Sequence, residues 1–285
     1  MEFILNKYKN AKRPEDLATR RYFEEYPDSK WEWVYDFIDL IQKNKPNEGH
    51  KAILELQEHW ALNGVKCTLV TQNIDNYHCQ LIKSSKVLKT SVYKEGSPGF
   101  GFTDNVNEIH GNLCYMRCFE EWDRAIYYTP PRPKDPEDII PKWTKCGGVM
   151  RPHILWFDES YTEELHKVKT VTDLLPTSKS EAINEEEEKE PKVDALIVIG
   201  TALATTLANN IVYTCIVNNV LTVEINMEPV WEQGRVLQVL TKSEISLPKL
   251  VNSYIECFND KKSESSTTIS SDSSLKNPTK ISKNK

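Results

Sequence analysis

The segments Thr-Gln-Asn-Ile-Asp-Asn-Tyr-His at residues 71–78 and Glu-Ile-His-Gly-Asn at residues 108–112 decide how this chain is interpreted. The first follows an apolar, β-branched run at residues 65–70, so it is predicted to be the loop at the carboxyl end of a strand. In open α/β sheets, ligands bind at that edge. The second segment places a histidine directly before a glycine, which permits close approach. Amide, carboxylate and imidazole groups from two such loops could bind a polar ligand and move a proton. Taken alone, an Asn-x-Asp more often caps a turn.

Bulk properties narrow the class of protein. A chain of 285 residues can bury one sizeable core, with room for a smaller appended module. The net charge of −6 and the pI near 5.7 argue against direct nucleic-acid binding. The seven cysteines and the lack of a secretory signal predict an intracellular protein, cytoplasmic or nuclear. No apolar run approaches the roughly 20 residues that span a bilayer, so no membrane partner is expected.

Hydrophobic patterning predicts an α/β architecture. Residues 14–60 have the apolar spacing of helices, and residues 153–157 are a strand candidate. A continuous apolar strand at 193–199 is followed by a helix at 205–219 and a further strand at 221–225. This β-α-β order implies a parallel sheet that is covered on both faces.

Several short segments, in the same order and spacing, resemble the sirtuin (Sir2-like) family of NAD-dependent protein-lysine deacylases. Besides the two opening segments they include Pro-Asn-x-x-His at 46–50, Cys-Gly-Gly-Val-Met-Arg-Pro at 146–152 and Gly-Thr-Ala-Leu at 200–203. The resemblance covers roughly residues 10–255. It implies a Rossmann-like parallel sheet with a small inserted module, similar to a zinc ribbon but degenerate.

The domain organisation follows from this resemblance and from composition. Residues 1–258 are expected to form the sirtuin-like catalytic domain, with the small module at about 114–150. An acidic insertion is predicted at about 176–192. The serine- and lysine-rich tail at 259–285 is predicted to be disordered, because it has few apolar groups to pack.

The resemblance implies a binding site for NAD. Gly200 and Thr201 lie at a strand-to-helix turn, where backbone N–H groups can face a phosphate, although tight-turn packing would equally explain one glycine. Asn226 ends the next strand, where such folds place a ribose ligand. These three residues are expected to hold the adenosine half of NAD. Ala202 stands where the family usually has serine.

The nicotinamide-ribose half is assigned to the opening segments. Gln72, Asn73 and Asp75 match the family residues that hold the ribose and the carboxamide. His110 matches the general base that takes a proton from the ribose hydroxyls, a role that suits an imidazole. His78 is expected to be structural.

The resemblance also implies an acylated-lysine protein or peptide as substrate. Leu155 and Phe157 match positions that line the acyl-lysine tunnel, on a strand that the peptide would join by β-augmentation. Ordinary core packing is the alternative for both residues. Val34 and Phe37 stand where family members that remove acidic acyl groups have a Tyr-x-x-Arg pair. Without that arginine, acetyl or another uncharged acyl group is favoured.

The zinc module matches its pattern only in part. Cys118 and Cys146 fit the first and fourth ligand positions, whereas Glu121 and Trp143 stand in the second and third. Cys114 lies one helical turn before Cys118 and is a further candidate ligand. Zinc in a distorted site competes with a module that is held by tryptophan and proline packing alone.

The family's N-terminal Gly-Ala-Gly-Ile-Ser loop has no counterpart here. No Gly-x-Gly occurs before Trp31, and the first glycine is Gly49. The first strand of the sheet is therefore expected to be missing, in either a truncated sequence or a degenerate family member. The expected activity is NAD-dependent lysine deacetylation, in which the acyl group passes to ADP-ribose and nicotinamide is released. The alternatives are a catalytically impaired sirtuin-like binding protein and a mono-ADP-ribosyltransferase.

Overall fold

A computed structural model describes residues 7–88, 93–120, 124–143, 147–176, 193–232 and 235–271, with side chains described as far as residue 262. All but the first residue of the acidic insertion predicted at 176–192 lies outside the described residues. Among the helices that are described, none is long and apolar enough to cross a membrane.

The N-terminal quarter is helical, as predicted for residues 14–60. A short 3-10 helix at Pro14–Ala18 is followed by α1 (Arg20–Glu25), α2 (Pro27–Lys43) and α3 (Glu48–Leu62). Pro27 opens α2, where its fixed φ suits the first helical position. Asn47 caps α3 by accepting from the backbone N–H of His50, which gives the Pro-Asn-x-x-His segment a local structural purpose.

Two parallel sheets form the larger part of the α/β architecture. Strand β1 (Leu69–Thr71) leads into α4 (Tyr77–Ser84) and pairs with β2 (Val106–Glu108). In the second sheet, β6 (Ala195–Ile199), β7 (Leu221–Asn226) and β8 (Val236–Leu240) lie in that order. Helix α7 (Thr206–Val217) connects β6 to β7, which confirms the predicted β-α-β unit.

The second sheet is covered on both faces, as its apolar strands require. On one face, side chains of α3 and of α8 (Ser243–Ser271) pack against Ile225 and Val239. On the other face, Val198 packs against Val212 of α7. Burial of these apolar side chains holds the helices on the sheet.

A separate antiparallel sheet carries the small module. It has the order β4 (Ile126–Tyr128), β3 (Gly111–Cys118) and β5 (Met150–Ile154). The buried indole of Trp31 donates to the carbonyl of Met150 at 2.8 Å, which ties α2 to this sheet. Two short helices follow, α5 (Glu163–His166) and α6 (Val168–Thr172).

One predicted strand boundary is wrong. The strand predicted at 153–157 ends at Ile154, because its partner strand begins with Gly111 opposite Ile154 and offers no further ladder. Helix α8 is described as far as Ser271, past residue 259, and the disorder of the tail stays a prediction. Once Leu247 and Val251 have anchored the helix in the core, each further turn costs little to add.

Candidate active site

Gln72 joins three loops at the carboxyl ends of β1, β2 and β6. Its side-chain nitrogen donates to the hydroxyl of Thr205 at 2.6 Å and lies 3.5 Å from Nε2 of His110. Its side-chain oxygen accepts from the hydroxyl of Thr201 at 3.4 Å. Three residues that were selected from distant parts of the sequence, Gln72, His110 and Thr201, therefore lie together at one edge of the fold.

His110 is held on a constrained loop after β2. Its backbone carbonyl accepts from the N–H of Leu155 at 2.8 Å. The next residue, Gly111, has a φ of +77°, and a Cβ there would lie 2.1 Å from the carbonyl oxygen of His153. Only glycine fits that position, so the sequence His-Gly is required by the backbone as well as by chemistry.

The environment of His110 favours its neutral form. Burial lowers the pKa of His110 below the usual value for histidine, and a hydrogen bond to the backbone of Gln72 partly opposes this effect. The hydroxyl of Tyr161 lies 2.8 Å from Nε2. A neutral, half-buried imidazole at this edge of the fold can accept a proton at physiological pH.

Asn73 and Asp75 occupy the loop between β1 and α4. Asn73 is exposed, and its backbone N–H donates to the hydroxyl of Thr71 at 3.1 Å. The carboxylate of Asp75 accepts from the backbone N–H of Tyr77 at 3.0 Å, at the beginning of α4. Asp75 thus has a turn-capping contact, and the ligand-binding roles of both residues remain predictions.

Glu108 connects this loop to β2 and β3. Both of its carboxylate oxygens accept from the side-chain amide of Asn112, at 2.9 and 2.8 Å. The same amide of Asn112 donates to Asn76 at 2.9 Å, directly beside Asp75. Burial raises the pKa of Glu108 to about 7. The network fixes the loop that carries Asn73 and Asp75 relative to the strands.

Gly200 and Thr201 begin the loop between β6 and α7, and Asn226 lies beside them at the end of β7. Gly200 has a φ of +59°, and a Cβ there would have open space around it. The side chain of Asn226 donates to the carbonyl of Thr201 at 2.9 Å. The hydroxyl of Thr201 accepts from the N–H of Leu203 at 3.1 Å. Asn226 thus supports the turn from β7, which places all three predicted residues in one local unit.

The two predicted substrate residues follow β5 and differ in exposure. Leu155 is partly buried, and its backbone contacts His110. Phe157 is 70% exposed, and its backbone N–H donates to the carbonyl of Ala18. Since Trp156 between them is buried, the exposed ring of Phe157 is not an ordinary core residue.

The predicted metal ligands are only partly described. Cys118 is buried in the core beside α2, whereas Glu121 and Cys146 lie outside the described residues. The proposed recruitment of Cys114 is wrong in its premise, because both cysteines lie on strand β3 and four strand residues span about 13 Å, too far for one ion. In the described ranges, no group of three or more potential ligands could hold a metal. Trp143, at the third ligand position, is buried, and its indole lies 3.4 Å from the hydroxyl of Tyr127.

Three contributors to the site were not assigned from the sequence. Thr205 has a helix-start signal and caps α7 by accepting from Ala208. Glu108 stands in the quoted Glu-Ile-His-Gly-Asn segment, but its link to Asn112 depends on a bend between β2 and β3. Tyr161 lies 51 residues after His110 and carries no local signal.

Parallel strands whose carboxyl ends meet at a polar, glycine-containing edge define an α/β protein with a candidate nucleotide site. The model of the Sir2 family matches residues 4–90 and 99–206, more than half of the chain, and the chain belongs to that family. An NAD-dependent protein deacylase of Aquifex aeolicus (strain VF5) is 32% identical over 220 residues, which cover 77% of this chain and 73% of that protein.

Solved structures share the fold. A crystal structure of a Sir2 homolog–NAD complex has a TM-score of 0.60 at 25% identity, covering 86% of this chain and 78% of that chain. A structure of Sir2Tm bound to a propionylated peptide has a TM-score of 0.60 at 17% identity, covering 84% and 83%. The second comparison supports the fold alone.

Proposed function

We propose that this chain is an NAD-dependent protein-lysine deacylase, which transfers an acyl group from lysine to ADP-ribose and releases nicotinamide. The observation that carries the proposal is the neutral imidazole of His110, which lies beside Gln72 at the edge where β1, β2 and β6 end. Membership of the Sir2 family and an NAD-dependent deacylase as a relative support the same activity.

The residues present fit the cofactor. The space beside Gly200 leaves room for a ligand at the β6–α7 turn, and Thr201 and Asn226 add polar groups there. Gln72 and the exposed Asn73 lie at the same edge and would hold the nicotinamide-ribose half together with Asp75. When bound, NAD supplies an electrophilic ribose carbon and nicotinamide as the leaving group.

His110 would act as the general base towards a ribose hydroxyl. Burial keeps the imidazole neutral, so its lone pair is available to accept a proton. Since the pKa of His110 is lowered, the base remains competent at neutral pH and loses activity only when the pH falls below the ordinary histidine range.

We propose that an acylated-lysine peptide lies beside Leu155 and Phe157, with acetyl or another uncharged acyl group preferred. The exposure of Phe157 supports a contact surface at the end of β5. Val34 and Phe37 replace the tyrosine and the arginine of the Tyr-x-x-Arg pair, so an acidic acyl chain would lack its counter-ion there.

We also infer that β1-β2 and β6-β7-β8 are two parts of one parallel sheet, with no strand from the described residues between β1 and β6. Support comes from the Gln72 contacts to Thr201 and Thr205, which join the carboxyl ends of the two parts.

The small module is proposed to depend on packing of its aromatic residues rather than on zinc, because Trp143 cannot ligate a metal and is buried.

The experiment that tests the activity is an assay of nicotinamide release with NAD and an acetyl-lysine peptide, with a succinyl-lysine peptide in parallel. We expect turnover with the acetyl peptide and at least about a hundredfold loss in His110→Ala, the usual size of a general-base effect. His59→Ala is the matched control, because His59 packs against Phe258, away from the site. Equal turnover by wild type and His110→Ala would contradict the assigned base.

The same assay separates the other two candidate functions. A binding protein would retain the acetyl peptide without releasing nicotinamide. A mono-ADP-ribosyltransferase would release nicotinamide but leave the acetyl group on lysine, and mass spectrometry would find ADP-ribose on a protein acceptor. Deacetylated peptide in equal amount to nicotinamide is the result that the proposed function requires.

A further inference from the structure

Tyr161 contacts His110 from a segment that no motif singled out. It lies between β5 and α5 and is partly buried. Its hydroxyl oxygen is 2.8 Å from Nε2 of His110, and the two rings stack with their centroids 5.9 Å apart at 28°. Both the position and the plane of the imidazole are therefore constrained by one side chain.

A chain of hydrogen bonds ends at His110. The amide of Gln72 donates to the hydroxyl of Thr205 at 2.6 Å. The side chain of Thr205 also forms a hydrogen bond with that of Tyr161. The amide nitrogen of Gln72, which can only donate, lies 3.5 Å from Nε2 of His110, so Nε2 acts as an acceptor and the phenolic hydroxyl of Tyr161 donates to it. Such chains strengthen their members by mutual polarisation.

We propose that Tyr161 is a positioning residue for His110: by donating to Nε2 it holds the imidazole in the neutral tautomer that is protonated at Nδ1, until a ribose hydroxyl replaces the phenol at the same lone pair. The inference rests on the proposed function of His110 as a general base. A base must present its lone pair in a fixed direction, and an imidazole without a partner can rotate or exchange tautomers.

The remaining neighbours of His110 are consistent with this assignment. A hydrogen bond to the backbone of Gln72 favours an N–H on the ring, because a carbonyl can only accept. His166 is the other titratable group that faces His110, and its ring meets Tyr161 edge-on at 6.1 Å. Burial lowers the pKa of His166 to about 4, so it brings no positive charge to the pair at neutral pH.

Tyr161→Phe tests the proposal, because it removes one oxygen atom and keeps the ring. Nitrogen-15 correlation spectra at pH 8 are expected to show one neutral tautomer of His110 in wild type and a mixture in the variant. In the nicotinamide-release assay, kcat is expected to fall about tenfold, the upper range for one hydrogen bond, with KM for the peptide unchanged. Tyr213→Phe is the matched control, since Tyr213 is exposed on α7.

A second pair of variants guards against a general effect on folding. Thr205→Val interrupts the chain of hydrogen bonds and should also mix the tautomers, whereas Thr205→Ser keeps the hydroxyl and should restore the single tautomer. A wild-type tautomer ratio and kcat in Tyr161→Phe would overturn the inference while leaving the deacylase activity intact. If wild type releases no nicotinamide, the proposed function fails, but the tautomer ratio still decides the role of Tyr161.

Discussion

At the scale of single residues, polar groups that do not touch a ligand set the geometry of those that would. Glu108 binds Asn112, and Asn112 binds Asn76, so the loop that carries Asp75 is tied to two strands. A buried carboxylate is costly unless it is fully hydrogen-bonded. The cost is visible in the pKa of Glu108, which burial raises to about 7.

Glu108→Gln should change how stability depends on pH. The folded-state pKa of Glu108 is raised from 4.5 to about 7, so the folded protein holds this proton more tightly than the unfolded chain does. The resulting stabilisation is complete below pH 4.5 and is lost as pH rises through 7, by about 3 kcal/mol at most. The variant has no such titration, so its stability relative to wild type should increase from pH 4.5 to pH 8.

Urea denaturation at several pH values measures this difference in the free energy of unfolding. Glu55→Gln, at an exposed position of α3, is the control and should show no comparable trend. A constant difference between Glu108→Gln and wild type across the range would show that the Glu108 carboxylate is not destabilised by burial.

Site residues were predictable from the sequence where a polar side chain follows the end of a predicted strand. Gln72 and Thr201 follow apolar strands, His110 was assigned through the resemblance to the Sir2 family, and the structure brings the three residues together. Tyr161 was not predictable from one sequence, because its contact with His110 depends on where the chain runs after β5 leaves the sheet.

At the scale of elements, the residue at which a strand ends depends on its partner strand, and the hydrophobic pattern of the sequence does not show that partner. The strand at 193–199 was predicted from its continuous apolar run and the helix at 205–219 from the apolar stretch that follows, and the structure confirms both elements. The apolar run at 153–157 has the same appearance, yet the ladder to β3 stops at Ile154. The length of α8 was missed because its last residues are polar and gain their helical structure by propagation from the packed turns.

Gly111→Ala should disrupt the start of β3. A Cβ at this position would lie 2.1 Å from the carbonyl oxygen of His153, and the φ of +77° adds strain. Gly64→Ala is the matched control, because Gly64 has a φ of +74° but open space around it. We expect a loss of about 1–2 kcal/mol in the control from the backbone alone, and roughly 3 kcal/mol or more in Gly111→Ala.

The free energy of unfolding of both variants, from urea titration, checks this prediction. Equal losses would mean that β3 and β5 can separate at Gly111 without penalty. Because His110 directly precedes this glycine, the rate of nicotinamide release should also fall in Gly111→Ala, even under conditions in which the variant is still folded.

At the scale of the whole molecule, the described residues form two separate parallel ladders, β1-β2 and β6-β7-β8, whose carboxyl ends are joined through Gln72. The fold class was predictable, because helices and apolar strands alternate along the chain. The division was predictable only through the resemblance to the Sir2 family, since no property of the β1 or β6 sequence reveals whether a strand lies between them. In the described residues, β1 pairs only with β2, and β6 pairs only with β7.

This division predicts an unusual pattern of backbone protection. In a complete doubly wound sheet, β6 would be an inner strand, and both rows of its N–H and C=O groups would be bonded. Within the part of the chain that the structure describes, β6 is an edge strand like β8, whereas β7 is bonded on both sides. Hydrogen exchange should therefore show alternate amides of β6 exchanging as fast as those of β8, and much faster than those of β7. If β6 were instead protected to the same degree as β7, a strand from elsewhere would occupy the gap beside it, and the sheet would be complete. Because Gln72 and Thr201 lie at the two margins of that gap, the same measurement indicates how firmly the two halves of the site are held together.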